Sequence, residues 1–73
     1  MSPKLPRLNG KKVAHLLEEN GFIFVSQKGS HAKFRDSEGQ TAIVPMHDNE
    51  DIGAGLLLRI LKDAGIDPDA LRR

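Results

Sequence analysis

Residues 22–46, "FIFVSQKGSHAKFRDSEGQTAIVPM", carry the architecture of this chain in a single run. Phe22 to Gln27 is rich in aromatic and β-branched residues and too short for a typical helix, so it predicts a strand. Lys28-Gly29 predicts a turn, and Ser30 to Arg35 a returning strand. Asp36-Ser37-Glu38-Gly39 is a second turn signal, followed by a third strand over Gln40 to Met46. Pro45 cannot donate to a ladder, so it suits a sheet edge or a strand end. Three strands joined by turns this tight form an antiparallel meander.

Helical signals lie on either side. Upstream, Asn9 predicts a cap for a helix running to about Asn20, with Gly21 as its left-handed stop. Val13, Leu16 and Leu17 make its apolar stripe, and Leu8 and Val13 have the spacing of a hydrophobic staple. Downstream, Leu57, Ile60, Leu61 and Ala64 recur at helical spacing up to Gly65. Asp67-Pro68 predicts one further turn, Asp67 to Leu71. The fold class is therefore α+β, in the order αβββα. A small sheet buries one face and leaves the other wet, so both helices are expected on the same face.

Seventy-three residues make one domain. A chain of this size buries only roughly 60% of its unfolded surface, which predicts a single thin core. The expected division is an N-terminal arm over residues 1–7 and one domain over 8–73. Without cysteine there is no disulfide or thiolate metal site, which suits a reducing cytoplasm. No stretch has the length of a membrane span. A formal net charge of +1 does not mark a strongly basic nucleic-acid binder. The charge is nonetheless segregated: Lys28, Lys33 and Arg35 surround His31, while Asp48, Glu50 and Asp51 crowd another segment.

Strand alternation gives that segregation a geometry. In the second strand Ala32 and Phe34 share one face, and His31, Lys33 and Arg35 share the other. The apolar pair should meet the helices, which leaves an imidazole among cations on the open face, a surface suited to phosphate. An imidazole of ordinary pKa, about 6.5, is partly neutral near neutrality and can accept a proton. Such a group could take the proton of a ribose 2′-hydroxyl while Lys33 or Arg35 steadies charge on the phosphoryl oxygens, with no metal involved. On spacing alone, the simpler reading is a solvated strand histidine.

His47 depends on the second turn. A three-residue loop, Ser37-Glu38-Gly39, would pair Asp36 with Gln40 and put residues 31 and 47 on one face; a four-residue loop would separate them unless Pro45 introduces a bulge. The simpler reading is that His47 only ends the strand. His15 lies off the apolar stripe and is expected in solvent. The histidines lack zinc-ligand spacing, and "HDNED", residues 47–51, lacks the pattern of a calcium loop. Acids ahead of a helix are more simply explained by its dipole and cap. Leu56, Leu57 and Leu58 cannot all point inward.

"LLEENGF" (16–22), "QKGSHAKF" (27–34), "TAIVPMH" (41–47) and "GLLLRILKDAGI" (55–66), in this order, resemble the HicA toxin family, small mRNA interferases of toxin–antitoxin systems. The resemblance implies a fold like a double-stranded-RNA-binding domain. It also implies endoribonuclease activity and a catalytic histidine in the Gly-Ser-His motif, which is His31 here. Lys28, Gly29, Ser30, Lys33, Arg35 and His47 are the expected RNA-binding positions around it. The implied partners are single-stranded RNA or mRNA and a HicB-type antitoxin. No cofactor, metal or membrane is expected, and the implied location is cytoplasmic. Ala32 stands where many members have a second histidine, and Leu56 and Leu58 stand where threonine and a basic residue are common. The alternatives are a catalytically silent RNA-binding module and a protein-interaction domain that uses the exposed leucines.

Overall fold

The computed structural model describes residues 5–47 and 49–71. Its elements are α1 (Gly10–Glu19), β1 (Ile23–Lys28), β2 (His31–Arg35), β3 (Thr41–Pro45) and α2 (Ala54–Asp63), followed by a 3₁₀ turn at Pro68–Leu71. The three strands form one antiparallel sheet in the order β1-β2-β3. This is the α+β arrangement that the sequence predicts.

Several boundaries have a local reason. Asn9 caps α1, its side-chain oxygen accepting from the Lys12 amide at 2.9 Å. The first turn holds Gly29 and Ser30, because Lys28 already pairs with His31 as the last residue of β1. Gly29 has φ +59° and Ser30 does not share the left-handed region, as in a type II′ hairpin turn. The turn therefore sits one residue later than Lys28-Gly29. In the second turn Gly39 has φ +86°, and the Asp36 amide donates to the Gln40 carbonyl at 3.0 Å. That is the three-residue loop. The Asp36 carboxylate organises it, accepting from the amides of Glu38 and Gln40.

The core lies between the helices and the inner face of β2 and β3. Val13, Leu17, Phe34, Val44, Leu57, Ile60 and Leu61 are buried there with Ala32 and Ala42. Both helices contact β3. At the other edge of the sheet, all six residues of β1 are exposed. Its aromatic and β-branched run makes a strand, but the helices do not cover it. Phe22, expected as the first strand residue, instead precedes β1 and is buried. Phe24 meets buried Phe34 edge-on, with ring centroids 5.9 Å apart.

The acidic segment behaves differently from its sequence expectation. Gly53 stands at the N-cap of α2 without a side-chain cap bond, and the first turn of that helix contains no acid. Asp51 instead bridges to Asn9, and the Ile52 amide donates to the Leu8 carbonyl at 2.7 Å. The segment is thus tied by backbone to the entrance of α1 rather than to the dipole of α2. Asp48 lies outside the described residues, as do residues 1–4 of the expected arm and the last two arginines. Within that arm, Leu5 is half-buried against the core while Pro6 and Arg7 are exposed.

Candidate functional site

His31 opens the central strand, so its backbone is paired on both sides: with Lys28 of β1 and with Pro45 of β3. One residue earlier, the Ser30 carbonyl accepts from the Met46 amide. On the other side of the turn, the Gln27 side-chain amide donates to the Gly29 carbonyl at 3.0 Å. The Gly-Ser-His segment is therefore held by ladder and turn hydrogen bonds, while the imidazole is exposed. Alternation works as the sequence predicts. Ala32 and Phe34 are buried at 1% and 3% exposure, and Lys33 and Arg35 follow His31 onto the open face.

The cations are not equivalent. Lys28 lies directly across the ladder from His31. Lys33 is the next residue along the same face, opposite Ser26 and Ile43. Arg35 is four residues on, and a strand rises about 3.3 Å per residue, so its backbone lies roughly 13 Å from that of His31. Lys28 and Lys33 thus border the imidazole, whereas Arg35 belongs to the surface beyond it. Among the described residues the only ion pair is His15 Nε2 with Glu19 Oε1, at 3.8 Å on the solvent side of α1. Among the described residues no carboxylate pairs with the open-face cations, which leaves their charge available to an anionic ligand.

His31 also forms one wall of a groove of about 340 Å³. Thr41, Ile43 and Pro45 come from β3, and Leu56, Arg59, Ile60 and Asp63 come from α2. Arg59 and Asp63 escape the sequence reading. Their only sequence signal is an i, i+4 spacing on a helix, and nothing in that spacing places α2 beside the end of β3. Leu56 is 45% exposed and Leu58 37%, while Leu57 between them is 1% exposed, so the triplet divides as its spacing requires.

His47 takes another course. The three-residue loop sets the predicted register, but β3 ends at Pro45, so strand alternation does not carry on to residue 47. His47 lines a separate cavity of about 310 Å³ with Asn9, Lys11, Met46 and Asn49. His31 and His47 thus line different cavities. Among the described residues, no three His, Asp or Glu side chains gather where a metal ion could be held. No helix among them is long and apolar enough to cross a membrane.

Comparison with known protein families places the chain. The family model described as the HicA toxin of bacterial toxin–antitoxin systems matches residues 10–66. No match is found among curated proteins. The matched segment runs from the first residue of α1 to just beyond α2, includes the whole sheet, and covers well over half of the chain. This chain belongs to the HicA toxin family, the toxins of bacterial toxin–antitoxin systems.

Proposed function

We propose that this toxin is a metal-independent endoribonuclease acting on mRNA, with His31 as its general acid/base. The observation that carries the reading is the exposed imidazole on a strand end fixed from both sides, bordered by cations without ion-pair partners. In the proposed reaction, neutral His31 removes the proton from a ribose 2′-hydroxyl. The freed oxygen attacks the adjacent phosphorus, the bond to the 5′-oxygen breaks, and that oxygen takes a proton from solvent, to which the His31 imidazolium returns the one it gained. The products are a 2′,3′-cyclic phosphate and a free 5′-hydroxyl. Lys28 and Lys33 stabilise the charge gathering on the phosphoryl oxygens. Arg35 binds a neighbouring phosphate along the strand and so adds affinity rather than rate.

Gly29 and Ser30 serve this reaction by setting the turn that presents His31. His47, in its separate cavity, is reserved for RNA contact away from the reacting phosphate. The cognate antitoxin of this family member is proposed to be of HicB type and to cover the same open face, with both partners in the cytoplasm. The single folded unit is taken to begin near Leu8.

The test is incubation of the purified chain with single-stranded RNA in EDTA. Cleavage should fall by about 10²–10⁴ in His31→Ala, the usual contribution of a positioned acid/base. Salt-sensitive binding without cleavage, unchanged by the substitution, would instead identify a silent RNA-binding module. Absence of both RNA effects, with tight binding to the product of a neighbouring gene, would identify an interaction domain.

A further inference from the structure

The groove between β3 and α2 has a composition that His31 chemistry alone does not require. His31, Arg59 and Asp63 bring ionisable groups to it, Ile43, Pro45 and Leu56 bring an apolar surface, and Thr41 adds a hydroxyl. Ile43 and Leu56 are 46% and 45% exposed, an apolar surface that the chain itself leaves uncovered. Arg59 has no ion-pair or hydrogen-bond partner among the described residues, although Asp63 lies one turn along the same helix. A guanidinium left free beside an apolar wall matches a phosphate joined to a flat, partly apolar group. Arginine binds phosphate oxygens through two parallel N–H donors, and single-stranded RNA offers unstacked bases for such a wall.

We infer that this groove is a nucleotide subsite, in which Arg59 binds the phosphate presented to His31 and Ile43, Pro45 and Leu56 hold the attached ribose or base. The inference rests on the RNA-cleaving reading but is separable from it. Lys28 is the ladder partner of His31 on the β1 side and Arg59 lines the same groove as His31 on the α2 side, so a phosphate bound there meets charge from two elements. The subsite fixes which nucleotide of a bound strand stands next to the cleaved bond. Leu58, at 37% exposure and outside the groove lining, has no part in it.

The experiment is an NMR titration of the full chain with inorganic phosphate and with cytidine 3′-monophosphate, read at the His31 ring and the α2 amides. The nucleotide should bind more tightly than phosphate. Arg59→Ala should weaken both by about tenfold, as expected for the loss of one charged contact, while Leu56→Ala should weaken only the nucleotide. Equal binding of the two ligands, or unchanged binding in Arg59→Ala, would overturn the subsite. RNA cleavage that depends on His31, with wild-type nucleotide affinity in Arg59→Ala, would reject the subsite alone. Nucleotide binding as expected in a chain that never cuts RNA would reject the nuclease reading and leave the subsite standing.

Discussion

Gly10→Ala opposes two physical effects at one atom. Alanine is favoured over glycine in a helix interior by about 0.8–1.0 kcal/mol, and less at a first helical residue, so helix propensity alone predicts a slightly more stable protein. The tertiary structure predicts the reverse. A Cβ at Gly10 would lie 2.3 Å from the Pro45 carbonyl oxygen and 3.0 Å from both Cα and Sδ of Met46. The sulfur can swing away, but the carbonyl belongs to the end of β3, and Pro45 is the cross-strand partner of His31. Overpacking of this kind typically costs about 1–3 kcal/mol. With backbone on both sides of the contact the upper end applies, and the net loss after the propensity gain is about 2 kcal/mol. For a domain of this size each kcal/mol moves the Tm by about 4–8 °C, so a fall of roughly 8–16 °C is expected in a thermal melt followed by circular dichroism. Gly55→Ala is the matched control: it sits in α2 with nothing within 4 Å of its added Cβ, and it should leave the Tm unchanged or raise it. If both substitutions move the Tm the same way, the close approach of α1 to the end of β3 is refuted.

Other substitutions separate packing from function. His31→Ala should leave stability within about 0.5 kcal/mol of wild type, because the ring is exposed and makes no hydrogen bond or ion pair among the described residues; a large loss of Tm would mean that the imidazole supports the fold. Leu57→Ala should cost about 2–5 kcal/mol as a core truncation, whereas Leu56→Ala, two-fifths or more exposed at 45%, should be nearly neutral in urea unfolding. Similar midpoints for the two would contradict the facing of α2. Asn9→Ala removes the capping acceptor of the Lys12 amide and should lower stability by about 1 kcal/mol, with Asn9→Asp restoring most of it.

Rules that act over a few residues made much of the molecule legible. A strand alternates every second residue, so Ala32 and Phe34 facing inward sends His31, Lys33 and Arg35 outward wherever the helices dock. The cap at Asn9 and the left-handed glycine of the second turn are likewise local choices of backbone conformation. The resemblance to the family suggested for His31 the catalytic role proposed above, which its spacing did not, since an exposed strand histidine is compatible with several roles. Capping of α2 escaped the same logic. Acids ahead of a helix look like caps, but here the chain uses Asp51 and Ile52 for backbone pairing with Asn9 and Leu8.

The order αβββα, the turns, and the outward direction of His31 were written into residues close together in the chain, because pleat, turn and cap energies depend on near neighbours. Tertiary packing alone decided that the helices leave β1 uncovered, that His47 lines a different cavity from His31, and that Arg59 and His31 line one groove. His31 and Arg59 are separated by most of β2, all of β3 and the start of α2. Their meeting depends on how buried leucines seat one helix against a sheet edge, a packing outcome that no local spacing specifies.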